Sequence, residues 1–392
     1  MILKILFWFF FCAIVYTYAG YTFVLFLLAL SNRIFHRDKN KKTVPFEPGI
    51  TLIIPAYNEA DYIKLKVENS FSLDYPKEKL QILWVTDGSD DKSNELLATY
   101  PGLKVIHESK RRGKIHAMNR AIKHVDTPIV VFTDANTMLN HQSIREMVEF
   151  FADDRVGCVA GEKRISSSEK EKAVGAGEGL YWQYESLIKT LESETGSAIG
   201  AVGELFAIRR DLYEEVKEDS ILDDFTISLQ IARKGYHIKY APLAWGTETA
   251  SVSISEEIKR KVRIATGGIQ TLLRMTALLN PLRHGLLSFK YISHKVLRWT
   301  LVPFSFPLML LLNIIIISTP VLSGPVYLIL FFLQCIFYLF VLTGALLHNV
   351  KLSAKFLFAP YYLFIMNYSS LKGLFCYFSG KYSVNWIKVK RS

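Results

Sequence analysis

The chain has 392 residues, half of them apolar, and carries a formal net charge of +11 at pH 7 with only four cysteines. That length exceeds one ordinary core, and apolar residues concentrated toward both ends exclude a simple soluble globule in favour of a membrane protein with a globular middle. The basic residues are spread along the chain and crowd beside apolar runs, which speaks against a nucleic-acid partner and for lipid head groups and a nucleotide diphosphate, while the cysteines form no disulfide framework.

From Ile2 to Leu30 the only charged residue is Lys4. The run exceeds the roughly 20 residues that a helix needs to span a bilayer and the about 7–15 apolar residues of a signal peptide. Residues 1–31 are therefore expected to be a retained transmembrane anchor. Residues 32–47 form a basic linker with Arg33, Arg37, Lys39, Lys41 and Lys42, which by the positive-inside tendency places the globular middle in the cytoplasm.

Residues 48–279 alternate short β-branched runs with polar helical stretches, the pattern of an α/β domain with a mostly parallel sheet flanked by helices. Strands are predicted at Ile50 to Pro55, Leu80 to Thr86, Leu103 to Glu108 and Pro128 to Thr133. In open α/β sheets ligands bind beyond the carboxyl ends of the strands, and polar clusters follow these strands. Residues 280–300 mix Arg283, Lys290, His294, Lys295 and Arg298 with apolar side chains, suiting an interfacial amphipathic helix. Residues 301–378 hold two apolar segments that read as a spanning hairpin and a more polar third, Phe356 to Phe378, expected to be re-entrant or interfacial because the tail, 379–392, is basic.

The first strand runs into Pro55, Ala56, Tyr57, Asn58 and Glu59, the second into Asp87, Gly88, Ser89, Asp90 and Asp91, and the fourth into Asp134, Ala135 and Asn136. An acidic, Gly-containing turn after a strand also serves as a plain helix cap. Asp134 and Asn136 offer two oxygen ligands of the kind hard divalent cations prefer. Lys110 to Lys114 form a basic run able to neutralise phosphate, and the Asp223–Asp224 pair can either face a helix dipole or accept a proton.

Taken in order, these residues resemble the family 2 inverting glycosyltransferases of GT-A fold, specifically the membrane-integrated group that includes cellulose, chitin, hyaluronan and poly-N-acetylglucosamine synthases. The resemblance runs from about Thr51 to Gly268. It implies a hexosyl- or N-acetylhexosaminyltransferase that uses a nucleotide-sugar donor, UDP-linked by analogy, and Mg²⁺ or Mn²⁺, in exopolysaccharide or cell-envelope synthesis. Pro55, Tyr57, Glu59 and Asp87 would hold the nucleotide. Lys114, within a stretch similar to Gly-Lys-x-x-Ala-x-Asn, and Arg263 would face the diphosphate, Asp134 would serve both donor and metal, and Asn136 would complete the metal motif. Asp224 would be the catalytic base with Asp223 beside it. Gly203, Glu204 and Arg260 would line the acceptor side, in a region that includes Ala207, Arg209 and Arg210.

Three departures matter. Asn136 replaces an aspartate, Glu204 replaces a serine, and Ile264 stands where the processive enzymes carry the tryptophan of Gln-x-x-Arg-Trp, leaving Arg263 alone. With few membrane segments to enclose a polymer, the expectation is transfer of single sugars to a lipid-linked or glycan acceptor. A processive synthase and a scaffold that only binds nucleotide sugar are the alternatives.

Overall fold

The computed structural model describes residues 1–35, 46–165, 173–249, 253–347 and 358–382. The basic linker from Arg37 onward and most of the basic tail lie outside the described residues.

The four expected strands form within one residue of their predicted ends, as β1 (Ile50–Ala56), β2 (Leu80–Asp87), β3 (Lys104–Glu108) and β4 (Ile129–Thr133). They are joined by β5 (Met138–Leu139), β6 (Val156–Ile165), β7 (Leu205–Arg209) and β8 (His237–Glu248) in one eight-stranded sheet of order β3-β2-β1-β4-β7-β6-β8-β5. β1 and β4 are nearly continuous apolar runs because helices cover both faces of a central parallel strand. Ile50, Leu52 and Ile54 pack into one core layer, while Ile53 packs into the other with Val130 and Phe132.

The sheet is parallel across β3-β2-β1-β4, then mixed. β7 runs antiparallel to both β4 and β6, whereas β6 and β8 are parallel. This reversal positions the site. Because Leu205 pairs with Thr133 and Arg209 with Ile129, the residues preceding β7, Gly203 and Glu204, lie beside the carboxyl end of β4 and the turn at Asp134. The same register sends Arg209 to the opposite end of the sheet, where its guanidinium binds the carbonyls of Phe151, Asp153 and Val156, and Ala207 is core. The acceptor-side expectation for that pair is therefore corrected: a five-residue strand carries them away from the cleft.

Helices α1 (Ile2–Phe35), α2 (Ala60–Phe71), α3 (Ser93–Ala98), α4 (Lys114–Ile122), α5 (Ser143–Val148), α6 (Ala173–Glu194), α7 (Asp223–Arg233), α8 (Ile254–Arg274), α9 (286–299), α10 (Leu301–Ser318), α11 (Pro325–Leu347) and α12 (Phe358–Phe378) complete the frame. Among the described residues three helices are long and apolar enough to cross a membrane, Ile2–Phe35, Leu301–Ser318 and Pro325–Leu346. At 1.5 Å per residue α1 is about 50 Å long, well beyond a roughly 30 Å hydrocarbon core. Its two halves accordingly pack differently. Phe7 meets Leu312, Ile316 and Tyr327, whereas Tyr21, Leu25 and Ala29 meet Ile188 and Leu191 of α6. A π-turn at Tyr16–Gly20 separates them.

Lys290, His294 and Arg298 turn inward, while Arg283 stays exposed. Lys290 donates to the carbonyls of Glu192 at 2.8 Å, Thr195 at 3.1 Å and Ser197 at 3.0 Å. His294 lies between Glu192 and Glu185 at 2.8 and 3.3 Å, and Arg298 pairs with Glu185. A buried charge persists only with such partners, so these side chains clamp α9 onto α6, whose acidic residues sequence periodicity had not paired with them. α12 is one continuous helix. Its Gly373 lies against α8, where a Cβ would come within 2.7 Å of Ala265, and its carbonyl accepts from Thr266 at 3.2 Å.

Candidate active site

The turns after β1 and β2 are stitched together. Asn58 adopts φ of +52°, a left-handed conformation that Asn tolerates better than most residues. From there its side chain donates to Asp90 at 2.6 Å and accepts from the Asp90 amide at 3.0 Å. The Asn58 and Glu59 amides donate to Ser89 at 3.1 Å and Ser93 at 3.0 Å. Asp87 does not cap a helix. Its Oδ2 accepts the amides of Arg112 at 3.0 Å and Gly113 at 2.6 Å, which folds the basic loop over the strand ends, while its Oδ1 is buried without a hydrogen-bond partner. Gly88, at φ of +68°, permits that approach, because a Cβ there would lie 2.5 Å from the Arg111 amide nitrogen.

These turns enclose an open cleft lined by Pro55, Tyr57, Glu59, Asp87, Lys114 and Asp134 together with Arg111, Gly113 and Ala135. Six of the seven predicted donor residues thus share one cleft; Arg263 lies outside its lining, its Nη2 donating to the Ile221 carbonyl at 3.4 Å. Arg111, which the sequence pattern did not single out, stacks its guanidinium 3.7 Å over the Tyr57 ring. Arg112 instead turns away to pair with Glu218 at 3.1 Å. The signal separating the two was available only as alternation within a loop, which carries no fixed period.

Lys114, the first residue of α4, bridges the turn after β4 and the start of α7. Its Nζ lies 2.7 Å from Asp134 Oδ1 and 3.0 Å from Asp223 Oδ2. Burial would lower the lysine's pKa, but the two carboxylates outweigh it and hold the group charged. Asp223 and Asp224 open α7 after the N-cap Leu222, so neither is the cap itself. Burial alone would raise Asp223, yet Lys114 beside it holds its carboxyl below the usual range. Asp224 behaves oppositely: burial, then the neighbouring Asp223, push it up to about 7. Asp134 is also raised by burial, with Lys114 opposing. Arg263 feels burial first, offset by Asp223, Asp134 and Asp224.

Gly203 faces Asp224. A Cβ on it would stand 3.6 Å from Asp224 Oδ2. Glu204 points the other way, into a buried chain the sequence did not reveal: Lys163 pairs with Glu204 and, at 2.8 Å, with Glu248, which accepts from Thr137 at 3.1 Å. The carboxylate that replaces a serine is thus matched by a lysine from β6. Arg260 pairs with Glu257 one turn earlier on α8, Nε to Oε2 at 3.0 Å, and its charge helps keep Glu204 ionised after Lys163.

A divalent cation fits this donor set only in part. Among the described residues no group of three or more His, Cys, Asp or Glu side chains could hold a metal. Asp134 supplies a carboxylate and Asn136 supplies a buried Oδ1 without a hydrogen-bond partner, a pair that suits an ion completing its shell with phosphate oxygens and water.

Residues 51–217 match the family model "Glycosyl transferase family 2". Over 236 residues the chain is 30% identical to a poly-beta-1,6-N-acetyl-D-glucosamine synthase of Staphylococcus aureus, covering 58% of this chain and 56% of that protein. It is 27% identical to the synthase of the same name from Staphylococcus epidermidis, with the same coverage. The chain thus spans about half the length of the curated relatives it matches. A mannosyltransferase from Pyrobaculum calidifontis, solved in complex with GDP-Man and Mn²⁺, superposes with a TM-score of 0.70 at 22% identity over 97% of this chain and all of that one. That likeness extends through the membrane helices and is a likeness of fold. Residues 51–217 are thus similar to the family 2 glycosyl transferases, within a fold of GT-A architecture that carries three helices long and apolar enough to cross a membrane.

Proposed function

We propose that the protein transfers a sugar with inversion from a nucleotide-sugar donor, UDP-linked, to a lipid-linked or glycan acceptor at the cytoplasmic membrane face in cell-envelope or exopolysaccharide synthesis. The observation that carries this reading is the pairing of two carboxylates in opposite states at the start of α7. Asp223 is kept ionised by Lys114, and Asp224, pushed up to about 7, stands beside Gly203, which offers no side chain of its own against it. A general base works best with a pKa near the operating pH.

Asp224 accepts the proton of the acceptor hydroxyl as that oxygen forms its bond to the anomeric carbon. The bond from that carbon to the diphosphate breaks, and the nucleoside diphosphate leaves with the electron pair. Lys114 and Arg263 stabilise the departing charge, and the Asp87 turn with Tyr57 and Arg111 orients the nucleotide. Asp134 and Asn136 would hold Mg²⁺ or Mn²⁺, which when bound supplies Lewis-acid stabilisation of the leaving group.

The relatives' names favour a second reading, processive synthesis, and make an N-acetylhexosamine the first donor to test. Ile264 in place of the processive enzymes' tryptophan supports single transfer instead. Nucleoside diphosphate release across a donor panel, with product length resolved on a gel, tests both. Release that vanishes in Asp224→Asn, with products one sugar longer than the acceptor, is expected. A ladder of long products refutes single transfer, and donor binding without turnover refutes the enzyme reading in favour of a scaffold.

A further inference from the structure

A second cavity opens at the junction of α1, α6, α9 and α12, walled by Tyr18, Tyr181, Tyr184, Trp299 and Tyr362 with Arg298 at its side. Arg298 is only 6% exposed. Glu185 holds its Nη1, the rings of Tyr18 and Tyr184 lie 5.8 and 5.5 Å from its guanidinium carbon, and Nε and Nη2, the two nitrogens on the other edge, are buried without a hydrogen bond of good geometry. Buried donors are rarely left unmet in folded proteins, and this edge presents two parallel N–H groups in the spacing that fits two oxygens of one phosphate.

Asn367 lines this cavity and also an apolar groove formed by α10, α11 and α12. Pro303, Phe306 and Ile314 mark its course along α10, a distance of about 16 Å at helical rise. Arg298 lies three residues before the start of the candidate span Leu301–Ser318, the depth at which a lipid's head group meets its hydrocarbon chain.

We propose that a phosphate-bearing membrane lipid binds here, its phosphate on Nε and Nη2 of Arg298 and its chain in the groove. Charge selects the head group and the attached apolar groove selects a lipid over free phosphate. The cavity also touches the catalytic helix: Trp299 packs edge-on to Phe225 at 5.4 Å, and Phe225 follows Asp224. Resting on the lipid-linked reading of the acceptor above, this site anchors the acceptor's phosphate and presents its head toward the base.

The test uses the full chain in a sugar-based, phosphate-free detergent, with lipid retention measured by native mass spectrometry. Polyprenyl phosphate should bind at one equivalent, and polyprenol and inorganic phosphate about tenfold or more weakly, as expected when charge-assisted hydrogen bonds or the apolar chain are lost. Arg298→Lys keeps a cation for Glu185 but lacks the two-pronged edge, and should weaken polyprenyl phosphate about tenfold. Leu311→Trp, which fills the groove from α10, should weaken it independently should the first variant fail to fold. Equal binding of polyprenol, equal binding of inorganic phosphate, or unchanged affinity in both variants overturns the proposal. Asp224→Asn should retain the lipid while losing sugar transfer, so a failed lipid site and a failed transfer reading give different results.

Discussion

Asp224→Asn should abolish transfer while stabilising the protein. The carboxyl's rise from 3.8 to about 7 corresponds to on the order of 4 kcal/mol between its two protonation states. The side chain keeps partial solvent access at the cleft, which reduces the figure to roughly 2–4 kcal/mol. Because the folded-state pKa is raised, Asp224 favours folding fully below the unfolded value of 3.8, and that contribution is lost as pH rises toward 7. An amide stays neutral throughout. The variant's advantage should therefore be near zero at pH 4 and widen to its full value by pH 8, read as the difference in thermal unfolding between variant and wild type in the same detergent. Transfer should fall by about 10²–10⁴, the usual contribution of a positioned base, and the acid limb of wild-type kcat/KM should have its midpoint near 7. A variant less stable than wild type at pH 8, or one that turns over normally, refutes both the electrostatics and the assignment of the base.

Asn136→Asp adds a carboxylate beside Asp134 and should tighten Mn²⁺, measured as a lower midpoint in a metal titration of nucleotide release; an unchanged midpoint removes Asn136 from the metal's shell. Lys163→Met strands Glu204 and Glu248 without their shared cation and should cost about 3–5 kcal/mol, with part recovered when Glu204→Gln is added; an unchanged unfolding temperature contradicts this. Gly88→Ala forces a Cβ within 2.5 Å of the Arg111 backbone at φ of +68°, so the basic loop must move off Asp87. Donor affinity measured by calorimetry should drop at least tenfold, and wild-type affinity shows that the loop does not hold the donor.

The amino-acid sequence by itself determined the four strands β1 to β4 and the turns that follow them into the cleft. Nearly continuous apolar runs such as Ile50 to Ile54, broken only by Thr51, and Ile129 to Phe132 are satisfied by burial on both faces, and the turns after them then lie at one edge of a parallel sheet. Asp87, Lys114 and Asp134 are legible because each stands within five residues of a strand end or helix start. The rest of the site depends on long-range pairing. The reversal at β7 decided that Gly203 meets Asp224 while Arg209 does not reach the cleft. The burial of Lys290, His294 and Arg298 against Glu185 and Glu192 joins residues about a hundred positions apart. Local sequence shows a basic amphipathic stretch in either case, and only the tertiary structure decides whether its charges face lipid head groups or a buried acid, because burial of a charge is set by the partner it meets.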